Sequence, residues 1–86
     1  MTNNEIIENL ERHVCAITFK KIAGETRVMN ATRFAMQRGG GNPTHCVVWD
    51  VDANDYRAFQ FSKLISLEIN PNINPQEKNF RAYFAD

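Results

Sequence analysis

The sequence lacks an excess of charge of either sign: ten lysines and arginines stand against ten aspartates and glutamates over 86 residues. Zero net charge removes the long-range pull that a basic protein exerts on polyanions, so any such affinity has to come from local clustering. Cysteine is scarce, with Cys15 and Cys46 alone. A domain of this size in a reducing compartment needs no disulfide, and both are read as small buried hydrophobes. No apolar run approaches the roughly 18 residues of a membrane-spanning helix. The opening MTNNEIIENLERH also has no basic segment leading into an apolar one. The expectation is a cytoplasmic protein with no membrane contact.

Motifs of catalysis are missing as well. There is no H-E-x-x-H and no nucleophile elbow, and Gly39-Gly40-Gly41 is not followed by the Lys-Ser/Thr of a phosphate loop. His13, Cys15, His45 and Cys46 are zinc-ligand types, but not in paired zinc spacings, and neighbours on a strand point to opposite faces. Asp50, Asp52 and Asp55 surround a turn, where acids are common for structural reasons. These absences predict a non-enzyme without metal or cofactor.

What is present describes one small globular domain. An apolar fraction of 43% with 23% charged residues is ordinary for a folded protein. Thr2 followed by Glu5 is a capping-box pattern, and Ile6, Ile7 and Leu10 recur at helical spacing, predicting a helix that ends near Arg12. The period then becomes two: Cys15, Ile17 and Phe19 share a face, with Ala16 and Thr18 on the other. Gly24 turns the chain into a partner strand over 26–33. Gly39-Gly40-Gly41-Asn42-Pro43 is a loop. Cys46–Val51 and Tyr56–Phe61 form a second hairpin around Ala53-Asn54-Asp55. Leu64–Ile69 is a fifth strand, with Ile65, Leu67 and Ile69 predicted inward. Asn74-Pro75-Gln76-Glu77 opens a short helix carrying Phe80, Tyr83 and Phe84 as one stripe. The predicted fold is mainly β: a five-stranded, partly closed SH3-like barrel over 14–69, with a helix before it (1–13) and a helical tail after it (70–86).

Within VVWDVDANDYRAFQFSKLISLEI, the run Arg57-Ala58-Phe59-Gln60-Phe61-Ser62-Lys63-Leu64-Ile65-Ser66-Leu67-Glu68-Ile69 resembles the last two strands of a WYL domain. Those regulators end in a pattern like R-T-F-R-L-D-R-I and then a hydrophobic alternation. With F-K-K, the glycine turn, R-V-M-N-A-T-R and V-W-D, residues 14–69 are similar to small Sm-like or SH3-like barrels called WYL-like, common in phages. Thr44, His45 and Cys46 stand where the name-giving triad would be, and Gln60 and Lys63 replace arginines. The resemblance implies a stand-alone barrel from a phage or bacterium, and it adds Arg57 and Lys63 to the basic residues that matter.

Charge is unevenly spread. Residues 12–38 hold Arg12, Lys20, Lys21, Arg27, Arg33 and Arg38 against Glu25 alone. Arg27 and Arg33 have the same parity on one strand, so the cations, with Arg57 and Lys63, are expected on a shared outer wall. That wall suits a nucleic-acid backbone, with Trp49, Tyr56 or Phe34 as stacking faces for unpaired bases. Otherwise these are solvated strand residues around core aromatics. Arg57 shares parity with Phe59 and Phe61 and needs an anion, either a ligand phosphate or carboxylate or an internal acid such as Asp50 or Asp52. Phe80, Tyr83 and Phe84 either cap the barrel or meet a protein partner or second copy of the chain. The leading expectation is nucleic-acid binding, to RNA or single strands. The alternatives are an inhibitor or adaptor docking on a host protein and a small-ligand sensor of the WYL type.

Overall fold

The computed structural model describes residues 1–34, 36 and 43–75. Helix α1 spans Asn3–Arg12, and the capping box is formed: the Glu5 amide donates to Thr2 Oγ1 at 3.2 Å, and the Thr2 amide donates to Glu5 Oε1 at 3.0 Å. These bonds hold the Glu5 carboxyl below its ordinary value, because they favour the ionised form. Ile6 and Leu10, one turn apart, bury the face of the helix that meets the sheet. The Arg33 amide donates to Leu10 O at 2.7 Å and ties the helix end to the chain beyond the second strand.

Five antiparallel strands follow: β1 Cys15–Lys20, β2 Thr26–Thr32, β3 His45–Asp50, β4 Asp55–Gln60 and β5 Leu64–Ile69. Their order in the sheet is β4-β3-β2-β1-β5. β4 and β5 thus lie at opposite ends of the sheet, although only a 3-10 turn, Phe61–Lys63, joins them in sequence. That short connection curls the sheet into a partly closed barrel. β1 and β2 pair from Cys15↔Ala31 to Lys20↔Thr26, closed by a turn in which Gly24 takes φ +95°. An L side chain is strained there, which explains the glycine. Asn54, at φ +52°, does the same in the β3–β4 turn, where Asp50 Oδ1 accepts from the Asp52 and Ala53 amides at 3.1 Å each.

The β2–β3 junction is different. Only Ala31↔Asp50 and Thr32↔Trp49 pair, extended by the Val51 amide donating to Asn30 O at 2.9 Å. β2 therefore runs on past the end of β3, and the barrel opens there. Asn30 stitches this region: its Nδ2 donates to Asp52 Oδ2, and its Oδ1 accepts from Asn70 Nδ2, both at 3.0 Å.

The main core joins α1 to the inner sheet face through Ile6, Leu10, Cys15, Ile17, Phe19, Met29, Ala31, Cys46, Val48 and Phe59. Val14 and Trp49 form a second cluster, covered by Met36, Val51, Tyr56 and Ile73. One strand departs from the alternation. β1 pairs Thr18↔Ser66 and then Phe19↔Leu64, leaving Ile65 as an extra residue, a β-bulge. The bulge inverts the parity between Leu64 and Ser66, so that Leu64 and Leu67 both pack on the core while Ile65 is exposed; Ile69, in regular register opposite Cys15 at the end of the strand, is exposed without help from the bulge. The expectation that Ile65 and Ile69 face inward is thereby corrected, and that for Leu67 stands. Residues 70–75 form turns, and the expected tail helix beyond them lies outside the described residues.

Candidate anion-binding site

Strand parity places Phe19 on β1, and Arg27 and Met29 on β2, on the inner face of the barrel. Because β2 outruns β3, no described strand pairs with the far edge of β2 beside Arg27 and Met29. Across the opening, β4 turns Arg57 and Phe59 to the same interior. Between the two walls lies a cleft of ≈ 540 Å³ whose floor is Phe19, Met29 and Phe59. The Phe19 and Phe59 rings, 5.9 Å apart between centroids, close the bottom. Lys20, Lys21, Arg27 and Arg57 line it, and His45 and Gln60, paired across β3 and β4, border it. Thr44 Oγ1 lies 2.8 Å from His45 Nδ1. No carboxylate is among the described lining residues.

Arg57 has an acid behind it. Its Nε stands 3.8 Å from Asp50 Oδ2, with the Arg57 side chain 40% exposed and that of Asp50 4%. The internal ion pair to Asp50 is therefore the arrangement found. It leaves the guanidinium part-exposed at the cleft, since Nε is the buried portion. Among the described residues, Lys20, Lys21 and Arg27 make no ion pair.

The expected cation set divides. Lys20, Lys21, Arg27 and Arg57 are brought together, but at the mouth of the interior and not on an outer wall. Arg33 does not belong with them: it is buried at 7% exposure, and its Nη1 donates to Val47 O. Trp49 and Val51 face β2 in the ladder, so Val47 faces the same side after β2 has ended at Thr32. The Arg33 side chain supplies the donor that the strand no longer offers. Lys63 is exposed on the 3-10 turn and does not line the cleft. Trp49 offers no stacking face, because it is 4% exposed and packs edge-on against Tyr56 at 5.0 Å. Phe34 is half-buried. Arg38, Phe80, Tyr83 and Phe84 lie outside the described residues.

Sequence reasoning missed the apolar floor and Ile22, which lines the cleft beside Lys21 and is 90% exposed. The available signal was the shared parity of Arg27 with Met29 and Ala31, which assigns Arg27 to the inner face. Both thiols are buried in the core and unpaired, and burial pushes each up to about 11, so neither is a thiolate near neutral pH. Among the described residues, no three His, Cys, Asp or Glu side chains converge as a metal site requires. No described helix is long and apolar enough to cross a membrane. What the cleft can do is neutralise an anion and accept an apolar group beneath it.

In comparisons with known proteins, the family described as WYL_2, Sm-like SH3 beta-barrel fold, matches residues 3–65. No curated protein and no solved structure matches the chain.

Proposed function

The chain belongs to the WYL_2 family of Sm-like SH3 β-barrels, and from that premise we propose that it is a non-catalytic accessory protein of a phage or bacterium that binds single-stranded nucleic acid in the cleft. One observation carries the reading: in a protein of zero net charge, four cations line one cleft that has no described carboxylate on its walls. Concentrating cations in this way raises the local potential where the whole molecule exerts none. Lys20, Lys21 and Arg27 neutralise backbone phosphates, and Met29, Ala58 and Ile22 offer apolar contact to a base.

The test is fluorescence anisotropy with labelled RNA and DNA strands of about ten nucleotides, titrated over a range of salt. Affinity is expected to fall with salt at a slope of roughly 0.7 per phosphate neutralised. Reversal of charge in Lys20→Glu/Lys21→Glu and in Arg27→Glu is expected to abolish binding. Undiminished binding by those variants removes the proposal.

The volume of the cleft favours a second reading, since small-molecule sites span roughly 300–1,000 Å³. Under that reading the ligand is a free small anion with an apolar body. Saturable binding of a mononucleotide with no gain in affinity from added nucleotides would select it.

A further inference from the structure

The cleft holds one cation that differs from the rest in being backed by a buried acid. Asp50 is 3% exposed. Its Oδ1 is committed to the β3–β4 turn, accepting from the Asp52 and Ala53 amides, and its Oδ2 faces Arg57 Nε at 3.8 Å. At that distance the contact is Coulombic and no hydrogen bond is made. Arg57 Nε is buried, whereas the side chain as a whole is 40% exposed, so the exposed portion includes the outer end of the guanidinium.

We propose that Asp50 is a positioning residue that holds Arg57 end-on to the cleft, so that Nη1 and Nη2 grip one phosphoryl group as a fork. The inference rests on the reading of the cleft as an anion site and names the ligand chemistry within it. A guanidinium approached along its two Nη atoms presents parallel donors matched to two oxygens of a phosphate, a geometry that an ammonium cannot reproduce. The carboxylate behind it is fixed by two backbone donors and cannot swing forward to compete. Arg27 comes from the facing wall and supplies a second charge to the same group.

A backbone phosphodiester and the phosphate of a free nucleotide share this chemistry. Two probes separate them: an oligonucleotide with hydroxyls at both ends, and a nucleoside monophosphate. Asp50→Asn keeps an oxygen for the turn amides and removes only the charge behind Arg57, and melting temperature checks that the turn survives. With whichever probe binds, Asp50→Asn and Arg57→Lys are each expected to weaken binding about tenfold. In the Arg57→Lys background, Asp50→Asn is expected to have no further effect, because the fork it positions is gone.

The opposite sign is equally definite. If Asp50 merely compensates charge, Asp50→Asn makes the cleft more positive and tightens binding, which overturns the inference. An equal loss from Asp50→Asn in both backgrounds also overturns it, because the turn alone would then be responsible. If Lys20→Glu/Lys21→Glu weakens binding while neither Asp50→Asn nor Arg57→Lys does, this inference falls and the cleft reading stands. If neither probe binds the unaltered protein, both fall together.

Discussion

The hydroxyl of Thr32, fully buried at the end of β2, donates its single proton towards Leu10 O at 3.1 Å and His13 O at 3.0 Å, at the C-terminal end of α1. The same oxygen accepts from the Phe34 amide at 3.0 Å. The last carbonyls of a helix have no partner within the helix. Here one side chain on a strand supplies a donor to them and also fixes the exit of β2. The helix is thereby attached to the sheet at the point where β2 leaves its pairing with β3.

Thr32→Val keeps the shape of this side chain and deletes its hydrogen bonds. Buried groups left without partners cost about 1–3 kcal/mol. In a domain of this size each kcal/mol shifts the melting midpoint by roughly 4–8 °C. A clear drop in Tm is expected for Thr32→Val, and a substitution with no effect would mean that apolar packing and the Arg33 amide hold the helix end without the hydroxyl.

Local rules made much of this arrangement legible. Thr2 and Glu5 announce α1, Gly24 announces the first hairpin, and the parity of Cys15, Ile17 and Phe19 selects the buried face of β1. The failures have one physical character, which is dependence on partners distant in sequence. Period two puts Arg27 and Arg33 on a common face but does not say whether that face is wet. Arg33 is buried because β2 ends where Val47 still needs a donor, which depends on a strand fourteen residues away. Trp49 points away from the main core, as its alternation with Val48 requires. It is covered there by Val14 and Ile73, which no local pattern connects to it.

Arg33 and the cleft cations are therefore expected to respond to substitution in opposite ways. Arg33→Lys retains a charge but loses the planar reach to Val47, and is expected to lower stability by about 1–3 kcal/mol while leaving the affinity of the folded protein unchanged. Lys20→Ala should leave Tm unaltered and reduce the salt slope of strand binding by about 0.7. Lys63→Glu, away from the cleft, should change neither. Paired melting curves and salt titrations measure both quantities, and loss of affinity without loss of stability in Arg33→Lys would return Arg33 to the binding surface.

The two thiols give the protein a pH dependence on the alkaline side. Burial raises both from an ordinary 9.0 to about 11, so the folded state holds its protons longer than the unfolded chain does. Below about pH 9 both states are protonated and the thiols leave stability independent of pH. Between about 9 and 11 the unfolded chain alone ionises, and stability falls as pH rises. Urea unfolding followed from pH 8 to 11 should show this decline, and it should diminish in Cys15→Ala and Cys46→Ala, compared each with its own value at pH 8. Alkylation at pH 8 should be negligible until denaturant is added, whereas rapid labelling of the folded protein would contradict the burial of these side chains.

The bulge in β5 makes a prediction that simple alternation reverses. Ile65 and Leu67 share parity, and a regular strand would bury both equally. With Ile65 as the extra residue between the Thr18↔Ser66 and Phe19↔Leu64 pairs, only Leu67 reaches the core, opposite Ile17. Truncation of a fully buried leucine costs about 2–5 kcal/mol, so half-buried Leu67→Ala should cost about 1–2 kcal/mol. Ile65→Thr, at an exposed position that retains a β-branched side chain, should stay within about 0.5 kcal/mol. Denaturant midpoints for the two variants measure the difference directly. Equal losses would mean that β5 pairs with β1 without the bulge, and the end of the barrel beside the cleft would then be built differently, since Phe19, part of the cleft floor, is the residue that the bulge brings opposite Leu64.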